Sequence, residues 1–154
     1  MTKFGIGQGI PRWEDPRLLR GGGRYSDDMN KSDQLFGYML RSPHANAKIL
    51  SIDTDTAKSA PGVHGVWTGE DYAVSGLGNI PCAVPRRKPD GSSMFTPPNP
   101  ALRRSAVKMV GDPVCWVVAE NAKQAQDASE MILVEYEQTS SVTKTSKALN
   151  KNSN

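Results

Sequence analysis

A chain of 154 residues is the length of one domain with short extensions, enough to bury about two-thirds of its surface without metal or disulfide staples. Its 37% hydrophobic and 23% charged residues fit a soluble globular protein, and its 14 glycines and 11 prolines imply many turns. The net charge of +3, from 19 basic and 16 acidic residues spread along the chain, is too weak to argue for a nucleic acid or an anionic membrane as partner.

The opening thirteen residues, MTKFGIGQGIPRW, have no uninterrupted apolar core and no small-residue cleavage pattern, so an unprocessed, cytoplasmic chain is expected. Nothing reaches the length of a transmembrane span. Phe4 to Gly9 places glycines at alternate positions, but no strand precedes it and no helix follows, so it reads as a flexible arm and not as a phosphate cradle. Pro11 to Asp28, PRWEDPRLLRGGGRYSDD, combines two prolines and three consecutive glycines with the apolar residues Trp13, Leu18, Leu19 and Tyr25. This predicts an extended N-terminal arm over residues 1–28, pinned to a surface at those points. Its acidic pairs, Glu14-Asp15 and Asp27-Asp28, read as caps and solvated turns in preference to a catalytic dyad.

Leu35 to Leu40 is β-rich and stopped by Arg41-Ser42-Pro43. Ala47 to Ile52 follows as a strand, with Ala47 and Ile49 expected on one face and Leu50 and Ile52 on the other. Asp53 to Ala60 is a short helix candidate capped by Thr54 or Asp53 and ended by Pro61-Gly62. Val63 to Thr68 is a third strand, and Thr68 with Asp71 has capping-box spacing. From 73 to 104 repeated prolines and glycines forbid continuous secondary structure, and Arg86, Arg87 and Lys88 form a basic cluster, read as a solvated face with partner contact as the alternative.

The best organised stretch is last. Val107 to Val110 is β-prone and broken by Gly111-Asp112-Pro113. Val114 to Ala119 is a continuous apolar run, expected to be buried on both faces. Asn121 caps a thin, alanine-faced helix, with Gln124 three residues on, and Ile132, Val134 and Tyr136 then alternate with polar neighbours as a half-exposed strand. The chain thus shows two βαβ-like segments, and beyond Glu137 it reads as an unanchored polar tail. Cys82 and Cys115 are far apart and expected free; with His44 and His64 they lack ligand spacing for zinc.

The segments PRWEDPRLLRGGGRYSDD (11–28), YMLRSPHANAKILSID (38–53), PGVHGVWTGED (61–71) and VGDPVCWVVAENAKQAQDASEMILVEYE (110–137) resemble the N-terminal region of the large subunit of molybdenum hydroxylases. That family includes aerobic carbon monoxide dehydrogenase, xanthine dehydrogenase and aldehyde oxidase, and the region is called the α/β hammerhead domain. Arg12, Glu14, Asp15 and Pro16 before the glycines look most like the carbon monoxide dehydrogenase type. The tail phrase YEQTSSVTKTSKAL (136–149) also fits, without the proline-rich connector the family has there.

The resemblance implies an α+β fold: an α/β hammerhead over residues 29–137, a mixed sheet with short packed helices and the long Pro-rich loop, followed by a polar tail over 138–154. Family members oxidise carbon centres or carbon monoxide at a molybdenum ion held by a pterin dithiolene, and pass electrons through iron–sulfur and often flavin subunits. The groups that do this lie downstream of the hammerhead, so no catalytic, cofactor-binding or metal residue is assigned in this chain; the molybdopterin-type cofactor belongs to the full-length family. The implied partners are the catalytic part of the large subunit and the iron–sulfur and flavin subunits. Candidate contacts are Arg12, Trp13, Arg17, Leu18 and Tyr25 in the arm and Arg41 and His44 in the turn, with local packing as the alternative for each. Two functions follow: a truncated or split hammerhead portion of an oxidoreductase, inactive alone, or a stand-alone hammerhead acting as an interaction or assembly module. The coding sequence beyond Asn154 discriminates between them.

Overall fold

The structure, a computed structural model, describes residues 7 and 9–148. The glycine-spaced segment Phe4 to Gly9 therefore lies mostly outside the described residues. The chain divides into two compact units, Met1–Gln34 and Leu35–Asn154. In the first, the segment expected to be extended is turned: α1 spans Asp15–Leu18 and a 3-10 turn spans Ser26–Asp28. Pro16 near the helix start needs no N–H, and the carboxylates of Asp15 and Asp28 accept from the main-chain N–H groups of Arg12 and Tyr25, both at 2.9 Å. Asp28 thus completes a capping box, and Asp15 closes the turn that leads into α1.

The second unit holds six strands: β1 (Phe36–Arg41), β2 (Ala47–Asp53), β3 (Val63–Thr68), β4 (Ala106–Val107), β5 (Pro113–Ala119) and β6 (Leu133–Gln138). The α/β hammerhead with short packed helices is present; where a mixed sheet was expected, the strands pair in two antiparallel three-stranded sheets, ordered β1-β5-β3 and β4-β2-β6. The helices α2 (Asp55–Lys58) and α4 (Ala122–Glu130) explain why. Each leaves a strand of one sheet and delivers the chain to a strand of the other, so neither makes a same-sheet crossover. The segments β2-α2-β3 and β5-α4-β6 are equivalent in this respect, each giving one sheet its central strand and the other an edge.

The caps are largely as expected. Asn121 Oδ1 accepts from Gln124 N at 2.9 Å, and Thr68 and Asp71 form the full capping box that opens α3 (Gly69–Val74). The hydrogen bonds from Thr68 hold the Asp71 carboxyl below its ordinary range. At α2, Thr54 occupies the cap position, but it is Asp53 Oδ1 that accepts from Asp55 N, at 3.0 Å.

Two strands depart from the simple pattern. In β2 a bulge between Ile49 and Ser51 makes Leu50 the extra residue, so Ile52 returns to the core face with Ile49 while Leu50 is exposed. A period of two cannot survive an inserted residue. The strand expected over 107–110 is only Ala106–Val107, because the Asp112 carboxylate takes the N–H groups of Lys108 and Met109 and bends the chain away. The loop over 75–104 has one hairpin-like bridge, Arg87 to Ser93. The polar tail is anchored at its start: Thr139 N donates to Asn46 O at 3.0 Å and Asn46 Nδ2 to Ser140 O at 2.6 Å. It then forms α5 (Thr145–Ala148), and residues 149–154 lie outside the described residues.

The core is built from small residues, Ala47, Ala57, Val66, Val107, Val114, Cys115, Val117, Ala128 and Ile132. Cys115 and Cys82 are free thiols, one buried and one exposed. Burial pushes the Cys115 thiol up to about 12 from an ordinary 9.0. Its folded-state proton is held more tightly than in the unfolded chain, so this contribution to stability is intact below pH 9.0 and is lost as pH rises toward about 12. A disulfide reagent at neutral pH is expected to label Cys82 at once and Cys115 only on unfolding. Equal labelling rates in the native protein would contradict the buried assignment.

Candidate interaction surfaces

The most tightly made polar constellation lies at the β4–β5 turn. Asp112 is buried; its Oδ1 takes the Arg103 guanidinium at 2.9 Å, and its Oδ2 takes the N–H groups of Lys108 (2.6 Å) and Met109 (3.2 Å). The main chain continues the knot. Ser42 N donates to Asp112 O and Gly111 N to Ser42 O, while Arg103 N donates to Pro113 O. The sequence showed Gly111-Asp112-Pro113 as a turn; that Asp112 pairs with an arginine at the end of the Pro-rich loop has no local signal. The Arg103 Nε atom is buried without a partner.

Arg41 and His44 border this knot. Arg41 donates to Gly111 O at 2.8 Å, and the His44 ring meets Tyr136 edge to face with centroids 4.8 Å apart. Burial raises the Tyr136 hydroxyl above its ordinary value. Both residues thus have local roles in the structure. In the first unit Arg12, Trp13, Arg17 and Tyr25 are exposed, Trp13 at 98%, and Leu18 is half-buried beside Gly23.

A third surface was missed in the sequence. Strand β5 is buried on both sides at Val114, beside the bulge in its pairing with β1, and on one face only from Cys115 onward. Cys115, Val117 and Ala119 point inward, where Cys115 and Val117 share the core with Ala128 of α4. Trp116 points outward, 36% exposed, beside Trp67 of β3 at 44%. The two indoles rest on glycines. A β-carbon added to Gly37 would come within 2.1 Å of Trp116 Cζ2, and one added to Gly65 within 2.4 Å of Trp67 Cη2. The continuous apolar run that suggested two-sided burial is buried at Val114, while Trp116 and the half-buried Val118 leave its outer face partly open.

No group of three or more His, Cys, Asp or Glu side chains that could hold a metal occurs among the described residues. No described helix is long and apolar enough to cross a membrane.

Two antiparallel three-stranded sheets, interleaved along the chain and joined by short helices, are what this geometry defines. The chain belongs to the aldehyde oxidase and xanthine dehydrogenase family as its a/b hammerhead domain, whose family model matches residues 20–140. Its relatives are oxidoreductases of the molybdenum hydroxylase family. The chain is 39% identical over 137 residues to the nicotine 6-hydroxylase large subunit of Paenarthrobacter nicotinovorans, a match covering 89% of this chain and 16% of that one. Quinoline 2-oxidoreductase from Pseudomonas putida 86 superposes with a TM-score of 0.80 at 40% identity, over 94% of this chain and 18% of that one. The Cu,Mo-CO dehydrogenase superposes with a TM-score of 0.79 at 33% identity, over 97% and 18%. The chain therefore spans less than a fifth of the length of each of these proteins.

The family implies a molybdenum–pterin group, and the donors present here do not fit one. The buried thiol, Cys115, is held in its protonated form, and Asp15, Asp28, Asp71 and Asp112 are engaged by main-chain N–H groups.

Proposed function

We propose that this chain supplies the hammerhead portion of the large subunit of a molybdenum-dependent oxidoreductase, contributing packing surface and no reacting group. The observation that carries this reading is the commitment of its acids: one of each adjacent pair singled out in the sequence, Asp15 and Asp28, holds a main-chain N–H, and Asp112 closes a buried knot. The partners we assign are the catalytic part of a large subunit and iron–sulfur and flavin subunits, in the cytoplasm. Arg12, Trp13, Arg17, Leu18, Tyr25, Arg41 and His44 remain our candidate contacts, with Arg12, Trp13, Arg17 and Tyr25 supported by their exposure.

The likeness in identity to the nicotine- and quinoline-named proteins, 39% and 40% against 33% for the CO dehydrogenase structure, favours a parent acting on a nitrogen heterocycle. A carbon monoxide dehydrogenase type, which the Arg12 to Pro16 opening resembles, is the second reading.

The purified 154-residue chain is expected to carry far less than stoichiometric molybdenum and to oxidise no carbon monoxide, aldehyde, purine or nitrogen heterocycle. Metal analysis by mass spectrometry together with dye-reduction assays checks this. Stoichiometric molybdenum, or turnover of any of these substrates, would sink the proposal.

A further inference from the structure

We infer that the outer face of the β1-β5-β3 sheet is the docking surface for the catalytic portion of a molybdenum hydroxylase large subunit; this rests on the function proposed above. Two rows of side chains cross that face in register, Gly37-Val118-Gly65 and Met39-Trp116-Trp67. Neither contains a charged residue. Large aromatic side chains on a solvated sheet normally stand up from it, whereas here Gly37 and Gly65 leave room for the indoles to lie down. The result is a flat, apolar platform rather than a pair of isolated exposed residues.

The size and chemistry of this platform select its occupant. A tryptophan offers roughly 150–250 Å² to bury, so at 36% and 44% exposure the two rings present on the order of 150 Å² together. A stable specific interface needs about 800 Å² per partner. The platform is therefore the dry centre of a wider contact, and a symmetric pair of these chains meeting on this face alone would fall well short. Transient electron-transfer partners dock through small contacts steered by charge, and these rows carry none. A permanent, apolar partner fits. In the relatives the matched segment is only 16–18% of a much longer subunit, which supplies the additional surface.

The test uses the 154-residue chain alone and co-expressed with the part of the P. nicotinovorans nicotine 6-hydroxylase large subunit that lies outside the matched segment. Hydroxyl-radical footprinting is expected to show oxidation of Trp67 and Trp116 falling at least fivefold in the complex. A complex in which both tryptophans oxidise as fast as in the free chain overturns the docking surface while leaving the proposed function standing. Failure to form any complex overturns both. Protection that rises with chain concentration in the absence of the catalytic portion overturns the assignment in favour of a second copy. The variant Gly37→Ala gives an independent reading, because its new methyl meets the end of the Trp116 side chain and not backbone, so the ring must lift. Capture of the catalytic portion is expected to weaken at least tenfold while far-ultraviolet circular dichroism is retained. A folded variant that binds as well as the parent overturns the inference.

Discussion

Asp112→Ala should destabilise the Leu35–Asn154 unit by about 3–5 kcal/mol, the usual cost of removing one partner from a buried ion pair. The carboxylate is 2% exposed, and three donors converge on it: the Arg103 guanidinium and the N–H groups of Lys108 and Met109. Alanine leaves all three unsatisfied at once. Arg103→Leu should cost less. It leaves the carboxylate its two main-chain donors, and the Arg103 side chain, 16% exposed, already carries one unpartnered nitrogen. Urea denaturation followed by tryptophan fluorescence measures both. Equal losses would refute the importance of the main-chain bonds, and a loss below about 1 kcal/mol for Asp112→Ala would refute the buried pair as a stabilising unit.

Gly69→Ala should lower stability by about 1–3 kcal/mol, the common cost of overpacking, against the expectation from helix propensity. Within a helix alanine is favoured over glycine by about 1 kcal/mol, and Gly69 is the first residue of α3. The packing term decides the sign. A β-carbon there would lie 2.4 Å from the carbonyl oxygen of Arg103 and 2.9 Å from Cα of Arg104. These are backbone atoms, and the segment cannot retreat freely, since Arg103 N donates to Pro113 O and its side chain holds Asp112. A raised melting temperature for this variant would show that the 103–104 segment yields.

Features set by neighbouring residues were legible in the sequence. The Thr68–Asp71 box, the Asn121 cap, the alternation of Ile132 to Tyr136 and the irregular proline-rich loop each depend on a few contiguous side chains. What failed depends on distant ones. The inserted Leu50 is a β-bulge made against β6, and the shortened β4 bends because of an acid four residues on whose ion partner comes before it. The apolar run Val114 to Ala119 was correctly a strand, but whether Trp116 meets protein or solvent depends on what covers the far side of the sheet, and glycines on neighbouring strands allow its ring to lie flat. Among the candidate contacts, Arg41 was expected in a turn but ends strand β1, and the partners of Arg41 and His44, Gly111 and Tyr136, come from far along the chain.

The interleaving of the sheets has a consequence for how the molecule comes into being. Every strand pairing, β1 with β5, β3 with β5, β2 with β4 and β2 with β6, joins a strand before the proline-rich loop to one after it. Even the two paired residues of these strands nearest in sequence, Thr68 and Cys115, flank the whole loop. Neither half of the chain can assemble any sheet by itself. During synthesis the first half must wait, unpaired, until the second has emerged, and the cost of closing that loop precedes any reward from pairing. The proline-rich stretch, which shows so little structure of its own, is therefore the segment whose closure governs the birth of both sheets together.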